Sequence, residues 1–226
     1  MLEVRNLSKK YGSKQVLNSI NLRFEKGKIY GIVGENGAGK TTFFKCLAEL
    51  ENYDGEIISP YKQLKNHLGF LETNPLMMSY ITGWEYLKLL CKARNIKTDN
   101  FEEQNIFKLP LNQYTETYST GMKKKLAFMG VLLRKNDILI LDEPFNGVDI
   151  QSNIIITDII QELKALGKTI LISSHIFATL RESCDGIILL SKGNVVKTAT
   201  KAEYDVLEAE MKKKVIGDNL KKLNLE

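Results

Sequence analysis

Cysteine, histidine and proline are scarce in this sequence, and each scarcity excludes a class of protein. The 226 residues contain three cysteines, two histidines and four prolines. Three widely spaced cysteines form neither a disulfide framework nor a zinc site, so we expect a reducing compartment. His67 and His175 have no cysteine or second histidine at ligand spacing, which argues against a metal site built on them. With so few prolines, no hinge between domains is expected.

Long hydrophobic runs and a strong excess of charge are also missing. No stretch of about 18 apolar residues occurs, so the sequence predicts no membrane span. The first residues lack the basic flank and apolar block of a signal peptide. Lys and Arg number 32 against 27 Asp and Glu, a net charge of +5 that is small and dispersed. We therefore expect no nucleic-acid partner, and we expect the run at 123–125 to be a solvated helix face.

The order of the apolar runs predicts an α/β fold. Strand-like runs fill the first 33 residues, a helix is predicted over about 40–50, short strands follow near 56–59 and 68–71, and helices and loops fill the middle. From residue 138 onward, strands alternate with helices, which is typical of a parallel sheet. We expect residues 1–226 to form a single domain, with a parallel sheet, antiparallel strands from the N-terminal third, a small helical subdomain over about 74–133 and a helical tail over 201–226.

A phosphate-binding loop is the clearest motif. It fits G-x-x-x-x-G-K-[ST], between a predicted strand and a predicted helix, with the residues Gly34, Glu35, Asn36, Gly37, Ala38, Gly39, Lys40 and Thr41. Glycines let successive backbone N–H groups point at one anion, and the helix N-terminus adds its positive dipole end. Lys40 is expected to reach the β- and γ-phosphates, and Thr41, with Thr42 nearby, to bind Mg²⁺. A chance glycine-rich turn is the alternative, and the flanking elements argue against it.

An acidic pair follows a second apolar run. Four apolar residues over 138–141 precede Asp142 and Glu143. A buried parallel strand delivers its C-terminal residues to the ligand crevice. Asp142 is then expected to hold Mg²⁺, and Glu143 to polarise an attacking water. By itself the pair could be a solvated strand end, but the phosphate loop upstream favours the functional interpretation.

Three further motifs decide between the many classes of phosphate-loop protein. They are a Ser-x-Gly segment at 119–121, Asn-Gly-Val-Asp at 146–149, and Ser-Ser-His at 173–175. The guanine-reading Asn-Lys-x-Asp tetrad of GTPases is absent. In this order the five motifs resemble the ATP-binding subunit of ABC transporters, over residues 2 to about 197. The Tyr-Ser-Thr-Gly-Met form of the signature at 118–122 is similar to that of the drug and peptide exporters.

The resemblance implies ATP and Mg²⁺ as cofactors and a role for each motif residue. Tyr11 is where the family has an aromatic residue that stacks on adenine. Ser119 and Gly121 belong to the signature, which contacts the γ-phosphate held by a second, head-to-tail subunit. Asp149 belongs to the loop that crosses the dimer interface. Glu143 is the catalytic carboxylate, and His175 is the switch residue that touches the γ-phosphate.

One family position has no direct match. A glutamine that contacts Mg²⁺ and the attacking water is expected after the predicted strand at 68–71, and the sequence has Glu-Thr-Asn-Pro there. Ungapped alignment places Thr73 at this position, and a shift of one residue places Glu72 there. We favour Glu72, because a carboxylate can approach Mg²⁺.

The expected function is ATP binding and hydrolysis that powers a separate transmembrane permease, in the direction of export. The chain is expected on the cytoplasmic face of the cell membrane, attached through that permease and paired with a second ATP-binding subunit, as a homodimer or a heterodimer. Its docking surface is expected in the helical subdomain and the loop at 72–80. The alternatives are a soluble ABC-type ATPase that acts on ribosomes or DNA, and a permease-linked sensor.

Overall fold

The computed structural model describes residues 1–98 and 100–223, with side chains through residue 213. The strands in this part of the chain are β1 (Leu2–Tyr11), β2 (Lys14–Phe24), β3 (Ile29–Val33), β4 (Asp54–Ile58), β5 (Leu68–Leu71), β6 (Ile138–Asp142), β7 (Thr169–Ser174), β8 (Gly186–Ser191) and β9 (Asn194–Thr200). The α-helices are α1 (Lys40–Leu47), α2 (Gly83–Lys92), α3 (Thr120–Leu133), α4 (Ile150–Ala165), α5 (Phe177–Ser183) and α6 (Tyr204–Leu223). Among the described residues, no helix has the length and hydrophobicity that crossing a bilayer requires.

Two sheets confirm the predicted combination of parallel and antiparallel strands. The larger sheet has the order β5-β6-β7-β3-β8-β9, in which the first five strands are parallel and β9 runs antiparallel to β8. The smaller sheet, β2-β1-β4, is antiparallel and comes from the N-terminal third. Helices connect the parallel strands, as βαβ crossovers require.

The parallel strands are buried on both faces, which explains their continuous apolar sequences. Along β7, Ile170 and Ile172 pack in one apolar cluster with α3, α4 and α5. Leu171 points the other way, into a second cluster that includes Phe43 and Phe44 of α1. Alternate residues of a strand face opposite sides of a sheet, so one strand contributes to both clusters.

The carboxyl ends of three parallel strands meet at one edge of the large sheet. The central strand β3 ends at Val33, whose register partner in β7 is Ser174. On the other side of β7, Asp142 at the end of β6 pairs with Ser173. The loops after β3, β6 and β7 therefore converge, and they carry the phosphate loop, the acidic pair and the Ser-Ser-His segment.

Solvent-facing strands were the hardest to predict. β1 and β2 extend over 10 and 11 residues, longer than the short apolar runs indicate, because much of their length is polar and exposed. β9 gives no strong sequence signal, since Ala199 is its one buried residue. It forms by pairing with β8 at the edge of the sheet.

The middle of the chain contains less helix than the apolar pattern indicates. α2 begins at a capping box in which Thr82 and Glu85 bind each other's backbone N–H groups. After α2, the backbone adopts the left-handed conformation at Asn95 and at Lys108, with φ of 54° and 51°. The segment before α3 packs buried aromatic side chains such as Phe101 against the core without forming an α-helix of its own.

The helical tail forms as predicted over the residues that the structure describes. A short 3₁₀ turn at Lys201–Glu203 leads into α6. Tyr204 and Leu207 are buried, and Met211 packs against the same cluster. These three residues lie on one face of the helix, as their spacing indicates. The last residues of the predicted tail, 224–226, lie outside the described residues.

Candidate functional site

The phosphate loop joins the end of β3 to the start of α1. Its backbone takes the left-handed conformation at Gly37 and Gly39, with φ of 81° and 108°. A Cβ atom at Gly34 would overlap the carbonyl oxygen of Leu190, so this position requires glycine. The loop forms one wall of a cleft of about 850 Å³. The N–H groups at the start of α1 therefore face a space that can hold an anion.

The ammonium of Lys40 lies inside the loop. It donates hydrogen bonds to the carbonyl oxygens of Gly34, at 2.7 Å, and Glu35, at 3.4 Å. Glu143 Oε1 lies 3.8 Å from the same nitrogen. The cleft thus has a positive charge at its base and a carboxylate beside that charge.

Asp142 is fully buried and accepts hydrogen bonds from three hydroxyl groups. Thr41 donates to Oδ2 at 2.6 Å, and Thr73 donates to the same oxygen at 2.7 Å. Ser173 donates to Oδ1. A buried carboxylate is costly unless it is hydrogen-bonded, and here each oxygen has a donor.

These oxygen atoms are the kind of ligand that Mg²⁺ prefers. In the described part of the chain, no three His, Cys, Asp or Glu side chains are grouped so that they could hold a metal ion. Protein side chains alone would therefore supply an incomplete site. Thr41 and Asp142 fit a Mg²⁺ ion that takes its other ligands from nucleotide phosphates and water.

Glu143 is held in a conformation that is rare for residues other than glycine, with φ of 51°. Its N–H donates to Ser173 Oγ at 2.9 Å. Its carboxylate oxygen Oε2 lies 3.0 Å from Nδ1 of His175. Strained residues persist where their surroundings hold them, and they cluster at functional sites. The Glu143 carboxylate is thereby placed between His175 and Lys40.

Ser173 connects the two acidic residues, a role that we did not predict for it within the Ser-Ser-His segment. Its hydroxyl accepts from the backbone of Glu143 and donates to the side chain of Asp142. A usable signal was present in the sequence, because Ser173 is a polar residue directly after the apolar run 170–172, which predicts a buried strand.

The structure brings Thr73, and not Glu72, to Asp142. Thr73 lines the cleft together with the phosphate loop. Glu72 lines a different groove, with Leu76, Arg94 and Arg134. The preference for Glu72 therefore disagrees with the geometry, because the chain after β5 turns the side chain at position 73 toward the end of β6. The ungapped alignment, which places Thr73 at the position of the family's glutamine, agrees with the contact between Thr73 and Asp142.

Tyr11 lies at the end of β1, with 44% of its surface exposed. The ammonium of Lys9 lies 4.7 Å from the centroid of its ring. Burial is the main cause that raises the pKa of the Tyr11 hydroxyl, and the Glu51 carboxylate beside it raises it further. Thr42 of α1 lies beside the same hydroxyl. The hydroxyl of Tyr11 therefore lies beside the start of α1, at the end of the phosphate loop.

Ser119, Gly121 and Asp149 lie outside the cleft of their own chain, whereas Asn146 at the start of the Asn-Gly-Val-Asp segment lines it. Ser119 caps α3 by accepting from the N–H of Met122 at 3.2 Å. Asp149 caps α4 by accepting from the N–H of Ser152 at 2.9 Å. The hydrogen bond from the Ser152 N–H, and to a smaller extent the hydrogen bond from the Lys125 ammonium, hold the pKa of Asp149 well below its usual range. Gly121 packs against Gly147, where a Cβ atom would lie 2.5 Å from the carbonyl oxygen.

Comparison with known families decides the class of protein. The sequence model of the family described as "ABC transporter" matches residues 17–146 of this chain. The chain belongs to the ABC transporter family. It binds and hydrolyses ATP as the ATP-binding subunit of a transporter.

Relatives with assigned roles extend over most of the chain. The bacitracin transport ATP-binding protein BcrA of Enterococcus faecalis is 35% identical over 219 residues, which cover 90% of this chain and 70% of that protein. The lantibiotic transport ATP-binding protein SrtF of Streptococcus pyogenes is 31% identical, over 91% of this chain and 92% of that protein.

Solved structures of ABC proteins share the fold. The ATP-binding subunit of an ABC transporter superposes with a TM-score of 0.82 at 28% identity, over 88% of this chain and 90% of that one. The ATP-binding cassette MJ0796, a dimer bound to ADP and Pi, superposes with a TM-score of 0.80 at 20% identity, over 89% of this chain and 99% of that one. Because its identity is only 20%, the similarity to MJ0796 shows a shared fold and nothing further.

Proposed function

We propose that this ABC subunit powers the export of a peptide antibiotic or a related peptide through a separate permease. The similarity to the bacitracin and lantibiotic transport proteins carries this proposal, because both extend over about nine-tenths of this chain. The chain then acts at the inner face of the cell membrane, where it is attached through the permease. Residues 1–226 form one ATP-binding domain, with a helical subdomain over about 74–133.

The residues of the cleft have separate roles in hydrolysis. The phosphate loop, from Gly34 to Thr42, binds the phosphates of ATP, and Lys40 neutralises charge on the β- and γ-phosphates. Thr41 and Asp142 hold Mg²⁺, which supplies further charge stabilisation when it is bound. Glu143 accepts a proton from the attacking water, and its distance of 3.0 Å to His175 supports a shared site at the γ-phosphate.

One chain holds only half of each complete site. Ser119 and Gly121 lie at the N-terminus of α3, outside the cleft of their own chain, and the N–H groups there can contact an anion. We assign these residues to the γ-phosphate held by the second subunit, and Asp149 to the interface between the two. Hydrolysis is then linked to the opening and closing of the dimer.

The permease docks in a groove that is separate from the nucleotide cleft. The groove lies between the core and the helical subdomain, and Leu76 at its edge is 86% exposed. Its lining includes Lys65, Arg94 and Arg134, with Glu72 as the one carboxylate among the lining residues. Such a surface fits a short cytoplasmic segment of the permease that has apolar residues and an acidic side chain.

The alternative of a ribosome-associated or DNA-associated ATPase is not favoured, because the relatives with assigned roles are transport proteins. A sensor that works with a permease and moves no substrate would use the same docking groove, so a transport measurement separates it from an exporter.

Two measurements test the proposal together. Tagged chain, purified in mild detergent, is expected to retain a polytopic membrane protein. Leu76→Asp is expected to lose this protein, whereas Val196→Asp, an exposed position on β9, is expected to keep it. Cells that lack the chain are expected to become more sensitive to bacitracin-like or lantibiotic peptides. Co-purification of ribosomal proteins without a membrane protein, or unchanged sensitivity across the panel, would contradict the proposal.

A further inference from the structure

Lys124 is buried inside the protein, although it lies in a run of three lysines. We expected the run at 123–125 to be a solvated helix face, and for Lys124 this is wrong. The side chain is 2% exposed. Its ammonium donates to the carbonyl oxygen of Glu143 at 2.8 Å and to that of Asn146 at 3.0 Å. A buried ammonium is costly unless it is hydrogen-bonded. The two hydrogen bonds to carbonyl oxygens offset the cost of burying the charge of Lys124.

We propose that Lys124 is a positioning residue, through which the signature helix α3 sets the position of the Glu143 carboxylate in its own chain. This inference rests on the proposed roles of Glu143 and Ser119. It assigns a function to a side chain that lies outside the phosphate loop, the acidic pair and the signature itself.

The backbone of Glu143 is held at both of its polar groups. Its N–H donates to Ser173 of β7, and its carbonyl oxygen accepts from Lys124 of α3. The same carbonyl also accepts from the N–H of Asn146 at 3.2 Å, which closes a tight turn. With φ of 51°, Glu143 occupies a conformation that persists only when neighbouring groups hold it. Lys124 is the group that holds it from the side of α3.

Two turns of α3 contact one continuous segment after β6. Gly121 packs against the backbone of Gly147 so closely that a Cβ atom would lie 2.5 Å from its oxygen. One turn later, Lys124 binds the backbone at 143 and 146. The adjacent Lys125 forms an ion pair with Asp149 at 3.0 Å. A movement of α3 is therefore transmitted to the whole segment from Glu143 to Asp149.

This connection relates the two ATP sites of the dimer. Ser119, the cap of α3, is proposed to contact the ATP that the partner chain holds. Lys124 lies five residues further along the same helix and contacts the turn that carries Glu143. ATP held by one subunit then helps to position the catalytic carboxylate of the other subunit.

The charge of Lys124 suits this role. An ammonium has three donors, and two of them reach carbonyl oxygens here. Burial lowers the pKa of Lys124, whereas the nearby Glu143 and Asp142 carboxylates act in the opposite direction. Methionine has a similar length and no donor, so Lys124→Met removes both hydrogen bonds while filling the space. Glutamine is shorter and retains a donor for one carbonyl.

The test compares hydrolysis with nucleotide binding in the full-length chain. Lys124→Met is expected to keep the wild-type affinity for ATP, measured by calorimetry. Its kcat is expected to fall about ten- to hundredfold, because a misplacement of a catalytic group by about 1 Å costs on the order of 10²-fold in rate. Lys124→Gln is expected to recover part of this loss. Lys123→Met is the matched control and should hydrolyse ATP as the wild type does. On the Glu143→Gln background, Lys124→Met should add no further loss.

Several results would overturn the inference. One is a folded Lys124→Met chain with the wild-type kcat. Another is a loss of ATP affinity large enough to explain the whole fall in hydrolysis. A third is a further fall in hydrolysis when Lys124→Met is added to Glu143→Gln. If circular dichroism shows that Lys124→Met does not fold, Lys124→Gln is compared with Lys123→Gln, and equal kcat values contradict the inference. Full activity of Glu143→Gln by itself would instead contradict the proposed role of Glu143.

Discussion

The hydroxyl of Ser173 is expected to stabilise both the fold and the site, and its removal gives a quantitative test. Ser173 is fully buried. Its oxygen accepts from the N–H of Glu143 and its hydrogen is donated to the Asp142 carboxylate. Ser173→Ala therefore leaves a buried N–H without its acceptor and removes one donor from a buried carboxylate.

The expected cost follows from these two contacts. An unsatisfied buried group costs about 1–3 kcal/mol, and a hydrogen bond to a charged group contributes about 1.5–3 kcal/mol. Asp142 keeps its two threonine donors on Oδ2, but Oδ1 loses the Ser173 donor, so we expect a loss of about 3 kcal/mol in the free energy of unfolding. For a chain of this size, that loss lowers Tm by roughly 6–12 °C.

Thermal and urea unfolding, followed by circular dichroism, measure this loss. Ser174→Ala is the matched control, because Ser174 is also buried but its hydroxyl only accepts from the N–H of Ile176 at 3.0 Å. The control should lose about 1 kcal/mol, the typical contribution of one neutral hydrogen bond. A Ser173→Ala chain whose stability equals that of Ser174→Ala would refute the reasoning.

Three further substitutions test individual residues of the cleft. Tyr11→Ala should weaken ATP binding by about 1–3 kcal/mol, the scale of base–aromatic stacking. Tyr11→Phe keeps the ring and should bind ATP as the wild type does. If calorimetry gives the Ala variant the wild-type affinity, Tyr11 does not belong to the site. Lys40→Ala should lose ATP binding and hydrolysis with an unchanged circular dichroism spectrum, and retained hydrolysis would count against the phosphate loop. Thr73→Val should slow Mg²⁺-dependent hydrolysis more than Glu72→Gln does, because only Thr73 contacts Asp142; the reverse order would restore Glu72 to the site.

Much of the site could be predicted from the sequence because its motifs are contiguous. The phosphate loop is a single run of residues between a strand and a helix, so its chemistry can be recognised without knowledge of the tertiary structure. The apolar runs before Asp142 and His175 predict buried parallel strands. The carboxyl ends of such strands meet at one edge, which places these residues near the loop.

Contacts between distant segments could not be predicted in the same way. Ser173 reaches Asp142 because the register of β6 and β7 pairs these two residues. Thr73 reaches the same carboxylate because β5 lies beside β6 and the chain turns after Leu71. Lys124 reaches Glu143 only through the packing of α3 against the turn after β6. A charge run gives no sign that one of its members is buried.

The assignment of Glu143 as the base, in a site completed by a second chain, is tested most directly by the Glu143→Gln variant with Mg-ATP in size-exclusion chromatography. Glutamine keeps the shape of the side chain and removes the base, so ATP should still bind and hydrolysis should fall by roughly 10²–10⁴-fold. Because hydrolysis reopens the dimer, the variant should elute as an ATP-bound dimer, whereas the wild type should elute largely as a monomer. A variant that hydrolyses ATP at the wild-type rate would contradict the role of Glu143. One that is inactive and remains a monomer would contradict the shared site and the roles of Ser119 and Gly121 in it.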